Sequence, residues 1–365
     1  MKNKKKIIII GAGVSGLTTG LSLLDEGYEI TIIAEKLAPD IVSVVAGALW
    51  EWPPAVCGFH QDVASLERSK DWCMNSYEKF FELAEKKETG VKIKPVIFYF
   101  KMPVNSTPSY LNKMNELKEK VKEFRHDAAM IKEEGVNEDI GLVDAYSYLA
   151  PMVDTDMYMD WLLTKVREKG VQIIQRKITG DIVKQSQKLL AEYNADFIIN
   201  CSGLGAAELA NDEMYPLRGA LVRIHNYGTT IPYIDKAYCI SHDEFSSGSN
   251  FVFIVPRGNH MAVIGGLAEE NEWDTSIGLD NYKPIQDMLD NCVTFLPMLK
   301  NATVDKKEPV RAGLRPLRKG NVRLEKDPQA PVIHNYGHGG SGVTFSWGCA
   351  NEIISMLKQE IPQNV

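Results

Sequence analysis

The hydrophobic pattern at the start of the chain predicts one strand–helix–strand unit. Residues 6–10 are a lysine followed by four isoleucines, and such an apolar run is typical of a strand buried on both faces. Apolar residues then recur at helical spacing between 17 and 24, and a second apolar run covers 29–33. A glycine at 27 suits the end of the intervening helix.

A second unit of the same kind lies in the middle of the chain. Apolar periodicity predicts a helix over 158–169, closed by a glycine at 170. The stretches 171–178 and 196–201, each with paired isoleucines at its centre, predict two further strands. Because strands and helices alternate, both units are expected to contribute to a parallel sheet.

Two other stretches have a different pattern. Residues 108–134 carry mixed charges with apolar positions at helical spacing, which predicts a solvated amphipathic helix. Between 215 and 310, short apolar runs such as 219–224, 250–255 and 261–264 are bounded by turns, which favours an antiparallel sheet.

Composition and charge narrow the class of protein. A chain of 365 residues corresponds to about two domains. Its net charge of -7 leaves no broad cationic face for nucleic acid. The basic start followed by an apolar run imitates a secretory signal, but glycines break the run and no cleavage site follows. No window holds the roughly 18 apolar residues of a membrane span. We therefore expect a soluble cytoplasmic protein.

The six cysteines are scattered and show no metal-ligand spacing. We read them as reduced thiols and expect no metal site. The chain also lacks the motifs of serine hydrolases, P-loop proteins and zinc proteases. Any difficult chemistry would therefore depend on an organic cofactor.

The first motif with chemical meaning is Gly11-Ala-Gly13-Val-Ser-Gly16, which follows the first strand and opens the first helix. Gly11 permits a tight turn, Gly13 lets the backbone approach a pyrophosphate, and Gly16 allows close packing of helix on strand. Glu35 ends the second strand, where its carboxylate can accept hydrogen bonds from a ribose. The motif predicts a dinucleotide site without distinguishing FAD from NAD.

These observations together predict an α/β protein with two discontinuous domains. The first is a Rossmann-like dinucleotide-binding domain made of residues 1–55, 145–210 and 310–365. The second is a substrate-binding domain with a mainly antiparallel sheet, made of residues 56–144 and 211–309.

A second glycine cluster lies near the end of the chain, where a strand at 332–336 leads through a glycine-rich turn into a helix. The free N–H groups of such a turn and helix could stabilise negative charge on a reduced flavin. A nicotinamide cofactor needs no such site. His334 and His338 are given no catalytic role, since a histidine at a strand end more often makes structural hydrogen bonds.

The third motif is the arginine-rich stretch 310–318. Pro316 biases Arg315 towards an extended conformation, from which its side chain could project into a cleft. A fixed guanidinium is suited to binding a substrate carboxylate. Arg311, Arg318 and Arg323 fit a surface ion-pair cluster equally well.

With these motifs, the chain resembles the D-amino-acid oxidase family, flavoenzymes that include D-aspartate oxidase. The resemblance covers nearly the whole chain and rests on 11–16, 45–50, 158–178, 200–205, 313–318 and, most specifically, 334–350. It implies FAD as the cofactor. The residues it implies for the adenine and phosphates are Gly11, Gly13, Gly16, Glu35, Arg176 and Ile178, and Ser43 is what remains of a hydroxyl-rich turn that contacts the phosphates. Those it implies around the flavin ring are Gly337, Gly339, Gly340 and Thr344. Gly47, Gly203 and Gly342 are further expected cofactor-binding residues.

The resemblance also implies a substrate site. Arg315 matches the arginine that holds the substrate carboxylate, and the carbonyl of Gly340 matches the acceptor for the amino group. Phe253 stands where the family has a tyrosine whose hydroxyl shares the carboxylate, so we expect that contact to be lost. Ala268 replaces the second arginine of the aspartate-selective branch, which disfavours acidic substrates unless Arg257 substitutes for it.

The resemblance implies oxidative deamination of a neutral D-amino acid to a 2-oxo acid, ammonia and hydrogen peroxide. A hydride would pass from the substrate Cα to the flavin N5, and molecular oxygen would accept the electrons. A homodimer is a further expectation. Alternatives are a glycine- or sarcosine-type amine oxidase, an FAD-dependent dehydrogenase and a flavin-binding protein with weak turnover. An NAD-dependent dehydrogenase fits the first motif but leaves the second glycine cluster unexplained.

Overall fold

The computed structural model describes residues 5–54, 60–240 and 252–360. Its strands, in chain order, are β1 (Lys6–Ile10), β2 (Glu29–Ala34), β3 (Val91–Phe100), β4 (Arg125–His126), β5 (Asp144–Val153), β6 (Gln172–Gln175), β7 (Phe197–Asn200), β8 (Met214–His225), β9 (Ala237–Ile240), β10 (Phe253–Arg257), β11 (Met261–Gly265), β12 (Glu269–Glu270), β13 (Val310–Arg318), β14 (Arg323–Lys326) and β15 (Val332–Tyr336). Its α-helices are α1 (Val14–Asp25), α2 (Val42–Val45), α3 (Val63–Ala84), α4 (Pro108–Lys118), α5 (Met130–Glu133), α6 (Thr155–Glu168), α7 (Ser186–Tyr193), α8 (Ala206–Leu209), α9 (Lys283–Phe295) and α10 (Gly342–Glu360).

The first sheet has the order β14-β15-β7-β1-β2-β6 and is parallel apart from its β14 edge. The parallel sheet predicted from alternating strands and helices is therefore confirmed. Strand β6 ends at Gln175, earlier than the predicted strand over 171–178. It lies at the edge of the sheet, and after Arg176 donates its N–H to the Ala34 carbonyl the chain turns away.

The second sheet has the order β12-β8-β11-β10-β9-β3-β5-β4, with β13 paired to β8. All its pairs are antiparallel except β3 with β9. The mainly antiparallel sheet is thus also confirmed. Residues 250 and 251 of one predicted strand lie outside the described residues, Val252 precedes β10, and residues 253–255 lie in β10.

The single helix predicted over 108–134 is wrong. Helix α4 ends at Lys118, and Arg125 and His126 then pair with β5. The short helix α5 follows. The apolar spacing continues past 118, but pairing with β5 takes the backbone out of a helical conformation, which periodicity alone does not reveal.

The chain passes between the two sheets several times. Strands β5 and β13 belong to the second sheet, so the segments predicted to begin at 145 and 310 each start there before returning to the first. The domain boundaries themselves stay a prediction. Helices α1, α3, α6 and α10 pack together in a core on one side of the first sheet, while α9 packs against the second.

Five cysteines of the described residues are buried free thiols: Cys73, Cys201, Cys239, Cys292 and Cys349. Cys57 lies outside those residues. The described part of the chain contains no group of acidic, histidine and cysteine side chains arranged to hold a metal ion. Among the same residues, no helix has the length and apolar character needed to cross a bilayer.

Candidate active site

A cavity of about 710 Å³ lies between the two sheets. On one side are the carboxyl ends of β1, β2, β7 and β15, which is where ligands bind in open α/β sheets. On the other side are residues of β8 and β13. The glycine turns of both predicted motifs meet at this cavity because their strands lie near one another in the first sheet.

The first glycine turn follows β1 and depends on three glycines for different reasons. Gly11 has a φ of 108°, and a Cβ there would collide with the carbonyl of Cys201. A Cβ on Gly16 would collide with the Gly11 carbonyl, so Gly16 packs behind the turn rather than facing the cavity. Gly13 faces the cavity, and a Cβ there would lie 3.3 Å from Ser43 Oγ. These positions match the roles expected from the sequence.

Ser43 lies in α2 and faces the amino end of α1. Its Oγ accepts a hydrogen bond of 3.0 Å from the Val14 N–H, the first residue of that helix. The hydroxyl and the remaining N–H groups of the turn therefore lie together, where a phosphate group can be bound.

The opposite end of this half of the cavity is more open. Glu35 is exposed, and its Oε1 lies 3.7 Å from Lys177 Nζ. Arg176 lies on the rim, where its Nη1 contacts Glu192 and donates to the Tyr193 hydroxyl at 2.8 Å. Ile178 and Gly203 line the cavity nearby. Both charged residues predicted for the cofactor are thus at the cavity, with Arg176 paired to a carboxylate.

The second glycine turn leads from β15 into α10, which is long enough to present a substantial helix dipole. Gly339, Gly340 and Gly342 line the cavity. Gly337 does not face it: this residue has a φ of 85°, and its Cα lies against the side chain of Arg318. Thr344 is buried within α10. Neither Gly337 nor Thr344 is among the residues that line the cavity, and their contacts with the flavin ring stay a prediction.

Buried polar atoms test whether this cavity fits a large polar cofactor. Ser202 Oγ and Asn335 Oδ1 are buried without a hydrogen-bond partner among the described residues, and both residues line the cavity. Such atoms are costly unless a ligand or water satisfies them. Together with two helix termini and the glycine turns, they fit a dinucleotide that extends between α1 and α10.

His338 also lines the cavity, and burial lowers its pKa to about 4. Its Nε2 lies 3.7 Å from Cys349 Sγ. His334 is buried farther along β15, with its Nε2 3.3 Å from Asp327 Oδ2. Burial also lowers the pKa of His334 below its ordinary value. Both shifts weaken these rings as bases, which agrees with leaving them out of acid–base roles.

The second sheet supplies the wall opposite the glycine turns. Strand register places Arg315, Gly219, Leu221, Gly265 and Phe253 on one face of that sheet, because directly paired and alternate residues share a face. An ideal Cβ on Gly219 would lie 2.5 Å from Arg315 Cζ, so the guanidinium rests on the bare backbone of Gly219. The lack of a side chain there keeps Arg315 in the cavity.

Arg315 differs from its neighbours in its partners. Arg311 pairs with Asp156 at 2.8 Å and Arg318 with Asp212 at 2.8 Å. Arg323 pairs with Glu325 at 2.8 Å. In the described residues Arg315 has no carboxylate partner, and its Nη1 donates to the Leu267 carbonyl at 3.2 Å. Burial lowers its pKa to about 10, which still leaves it charged at pH 7. The site therefore lacks one negative charge, which a bound carboxylate would supply.

Phe253 and Arg257 are the other residues that the sequence suggests for the substrate site. The Phe253 ring rests on Gly47, where a Cβ would lie 2.7 Å from Cζ, and Phe253 is not among the residues that line the cavity. Arg257 does not reach the cavity to replace the missing second arginine. Its guanidinium donates to Thr155 Oγ1 and to the carbonyls of Ala46 and Gly47. That suggested substitute for the aspartate-selective arginine is wrong.

Sequence reasoning missed several residues of the site. Gly219, Leu221, Thr275 and Asn335 line the cavity. Gly219 stands inside a predicted strand, and an isolated glycine there indicates close approach of another group. The other three carried no usable signal, because a single leucine, threonine or asparagine is common in any fold.

The fold and the site are those of an oxidoreductase that binds a dinucleotide cofactor, with the two-sheet arrangement of a class of flavoproteins. The model of the family DAO, described as FAD dependent oxidoreductase, matches residues 6–356. The chain belongs to this family, and its cofactor is FAD.

Relatives agree with this assignment. The chain is 30% identical over 355 residues to a D-amino-acid oxidase of Rubrobacter xylanophilus, covering 96% of this chain and 95% of that protein. It is 26% identical to a human D-aspartate oxidase, covering 98% of each. Among solved structures, a glycine oxidase of Bacillus cereus superposes with a TM-score of 0.75 at 16% identity, covering 98% of this chain and 96% of that one. That last likeness shows the fold.

Proposed function

We propose that the protein catalyses oxidative deamination of a neutral D-amino acid to the 2-oxo acid and ammonia, with oxygen reduced to hydrogen peroxide. The observation that carries the proposal is Arg315, a charged guanidinium held over Gly219 in the cofactor cavity without a carboxylate partner. The relatives named D-amino-acid oxidase, at about 30% identity over nearly the whole chain, support this substrate class.

The residues of the cavity have different roles in the proposed reaction. Arg315 binds and orients the substrate carboxylate, and the carbonyl of Gly340 accepts a hydrogen bond from the amino group. When bound, FAD supplies the acceptor for the hydride of the substrate Cα. Burial lowers the pKa of His338 to about 4, so its ring is uncharged and only weakly basic at pH 7. Most of the rate enhancement therefore comes from orienting the substrate, as in other reactions whose partners are held in a reactive geometry.

The preference for a neutral side chain follows from the distribution of charge. The other cationic lining residues of the described chain, Lys36, Arg176 and Lys177, lie beside Glu35 at the far end of the cavity. Near Arg315 the described lining residues instead include Gly219 and Leu221, which carry no charge. An acidic substrate side chain would lose its water there without gaining a partner.

A panel of substrates tests the proposal. Purified protein is incubated with D-alanine, D-methionine, D-phenylalanine, D-aspartate, glycine, sarcosine and L-alanine, and both hydrogen peroxide and anaerobic bleaching of the flavin spectrum are measured. A neutral D-amino acid is expected to give the highest kcat/KM in both assays. Faster turnover of glycine or sarcosine would favour the amine-oxidase alternative. Bleaching without peroxide would indicate a dehydrogenase, and no bleaching with any substrate would contradict the proposal.

Replacing Phe253 by tyrosine tests the lost carboxylate contact. The sequence predicts that the new hydroxyl would tighten binding by about 10- to 100-fold. In the structure the ring tip already rests on Gly47, so a hydroxyl on Cζ would crowd the Gly47 backbone. We therefore expect Phe253→Tyr to leave KM for D-alanine unchanged or raised. Phe253→Leu is the matched control for loss of the ring, and a KM at least about 10-fold lower for Phe253→Tyr alone would restore the sequence prediction.

A further inference from the structure

Arg257 is buried at the end of β10, yet both of its Nη atoms donate to oxygen atoms that carry no formal charge, and its Nε has no hydrogen-bond partner among the described residues. Its Nη1 donates to Thr155 Oγ1 at 2.6 Å, and its Nη2 donates to the carbonyls of Ala46 at 2.8 Å and Gly47 at 3.0 Å. Burial lowers its pKa to about 10, although Asp154 and Asp156 lie near enough to oppose that shift. An arginine buried at this cost without a bonded carboxylate needs a reason other than ion pairing.

The backbone that Arg257 holds belongs to the cofactor cavity. Residues 39–43 and 45–47 line that cavity, and Ser43 contacts the amino end of α1. Thr155, the other partner of Arg257, donates its hydroxyl to the Val44 carbonyl at 2.6 Å. Arg257 and Thr155 thus bind three carbonyls of one short segment from the side away from the cavity.

These hydrogen bonds to carbonyls also fix the direction of the neighbouring N–H groups. The C=O and N–H of a trans peptide point in opposite directions. Because Arg257 fixes the carbonyls of Ala46 and Gly47, it also directs the N–H groups of Gly47 and Ala48 away from itself. The same strand fixes Gly47 a second time through the Phe253 ring.

The residue after Gly47 has a strained backbone conformation. Ala48 has a φ of 50°, in the left-handed region that alanine rarely adopts. Such conformations persist where the surroundings impose them, and they occur preferentially at ligand sites. Arg257 holds the segment before Ala48, and the Val153 N–H holds the Ala48 carbonyl at 3.0 Å.

We propose that Arg257 is a positioning residue that holds Ala46–Ala48 in the strained conformation required to bind FAD. It acts through the backbone and does not touch the substrate. The inference concerns the cofactor alone, so its outcome is independent of which amino acid the enzyme oxidises.

The test compares FAD binding by Arg257→Met with that of a matched control. Arg223→Met removes a partly buried arginine of the same sheet whose partners are the carboxylates of Asp305, Asp156 and Glu308. FAD is titrated into each apoprotein, and the dissociation constant, the visible circular dichroism of the bound flavin and the apoprotein Tm are measured. We expect Arg257→Met to raise the dissociation constant about 10- to 100-fold and to change the dichroism. Arg223→Met should lower Tm while leaving both flavin measurements near those of the parent.

Two further variants keep the test decisive if Arg257→Met folds poorly. Arg257→Lys retains the charge but cannot bridge Thr155 and both carbonyls, so we expect intermediate FAD affinity. Ala48→Gly removes the penalty on positive φ, so adding it to Arg257→Met or Arg257→Lys should recover part of the lost affinity. Parental FAD affinity and dichroism in Arg257→Lys, equal weakening by Arg223→Met, or no recovery with Ala48→Gly would each overturn the proposal.

Discussion

Replacing Arg315 by alanine is expected to lower kcat/KM for the best D-amino acid by about 100- to 10,000-fold while leaving FAD content unchanged. The guanidinium is the unpaired cation on the second-sheet wall of the described cavity, and it is buried enough for its pKa to fall to about 10. Removing a charge-assisted contact from such a site costs about 3 to 5 kcal/mol, because the substrate carboxylate then loses both its partner and its water.

The control for this variant lies on the same strand. Arg311 pairs with Asp156 and Glu308 rather than facing a ligand. Arg311→Ala should lower the Tm but change kcat/KM by less than about 3-fold, as expected for a surface-connected ion pair. Steady-state kinetics with peroxide detection, together with the flavin absorbance per protein, measure both effects. Near-parental kcat/KM in Arg315→Ala would show that the carboxylate binds elsewhere.

Replacing Gly219 by alanine should also weaken binding of the substrate carboxylate, because the added methyl group would displace Arg315. Gly219 has ordinary strand geometry, so alanine fits the backbone, but its Cβ would lie 2.5 Å from Arg315 Cζ. The end of the arginine side chain must then move by about 1 Å, and displacements of this size can cost about 100-fold in rate. We expect Gly219→Ala to lower kcat/KM by about 100-fold with normal FAD content and Tm.

Gly278→Ala is a suitable control for that change. A Cβ on Gly278 meets only Asn281 Oδ1, at 3.5 Å, and the residue lies away from the lining of the cavity. Its kinetics should match those of the parent. If the kinetics of Gly219→Ala also match those of the parent, the cavity can accommodate the displaced guanidinium, and Gly219 does not set its position.

Much of the first sheet and the cofactor turn could be predicted because the responsible signals are local. The apolar run at 7–10 specifies a buried strand, and the glycines at 11, 13 and 16 specify a turn that side chains would block. Gly16 illustrates the limit of such reasoning. Its spacing identified a packing role, but the resemblance alone assigned it to the cofactor, and the structure places it behind the turn.

The second glycine cluster shows the same limit. Gly337, Gly339, Gly340 and Gly342 look alike along the chain, yet one of them packs on Arg318 while the other three line the cavity. A turn reverses direction within a few residues. Composition therefore predicts that such a turn exists and cannot say which of its residues faces the ligand.

The sequence by itself determined the two-sheet α/β architecture and the dinucleotide turn, because these depend on short-range periodicity and on residue types at fixed spacing. It also indicated Arg315 as the candidate for binding a carboxylate, which stays a prediction. Tertiary structure alone decided which arginines are neutralised, since their carboxylate partners Asp156 and Asp212 lie more than a hundred positions away. It also decided that Gly219 supports Arg315 and that Arg257 holds the Ala46–Gly47 backbone. Strand register and long-range packing create those contacts, and neither can be read from the local pattern of residues along the chain.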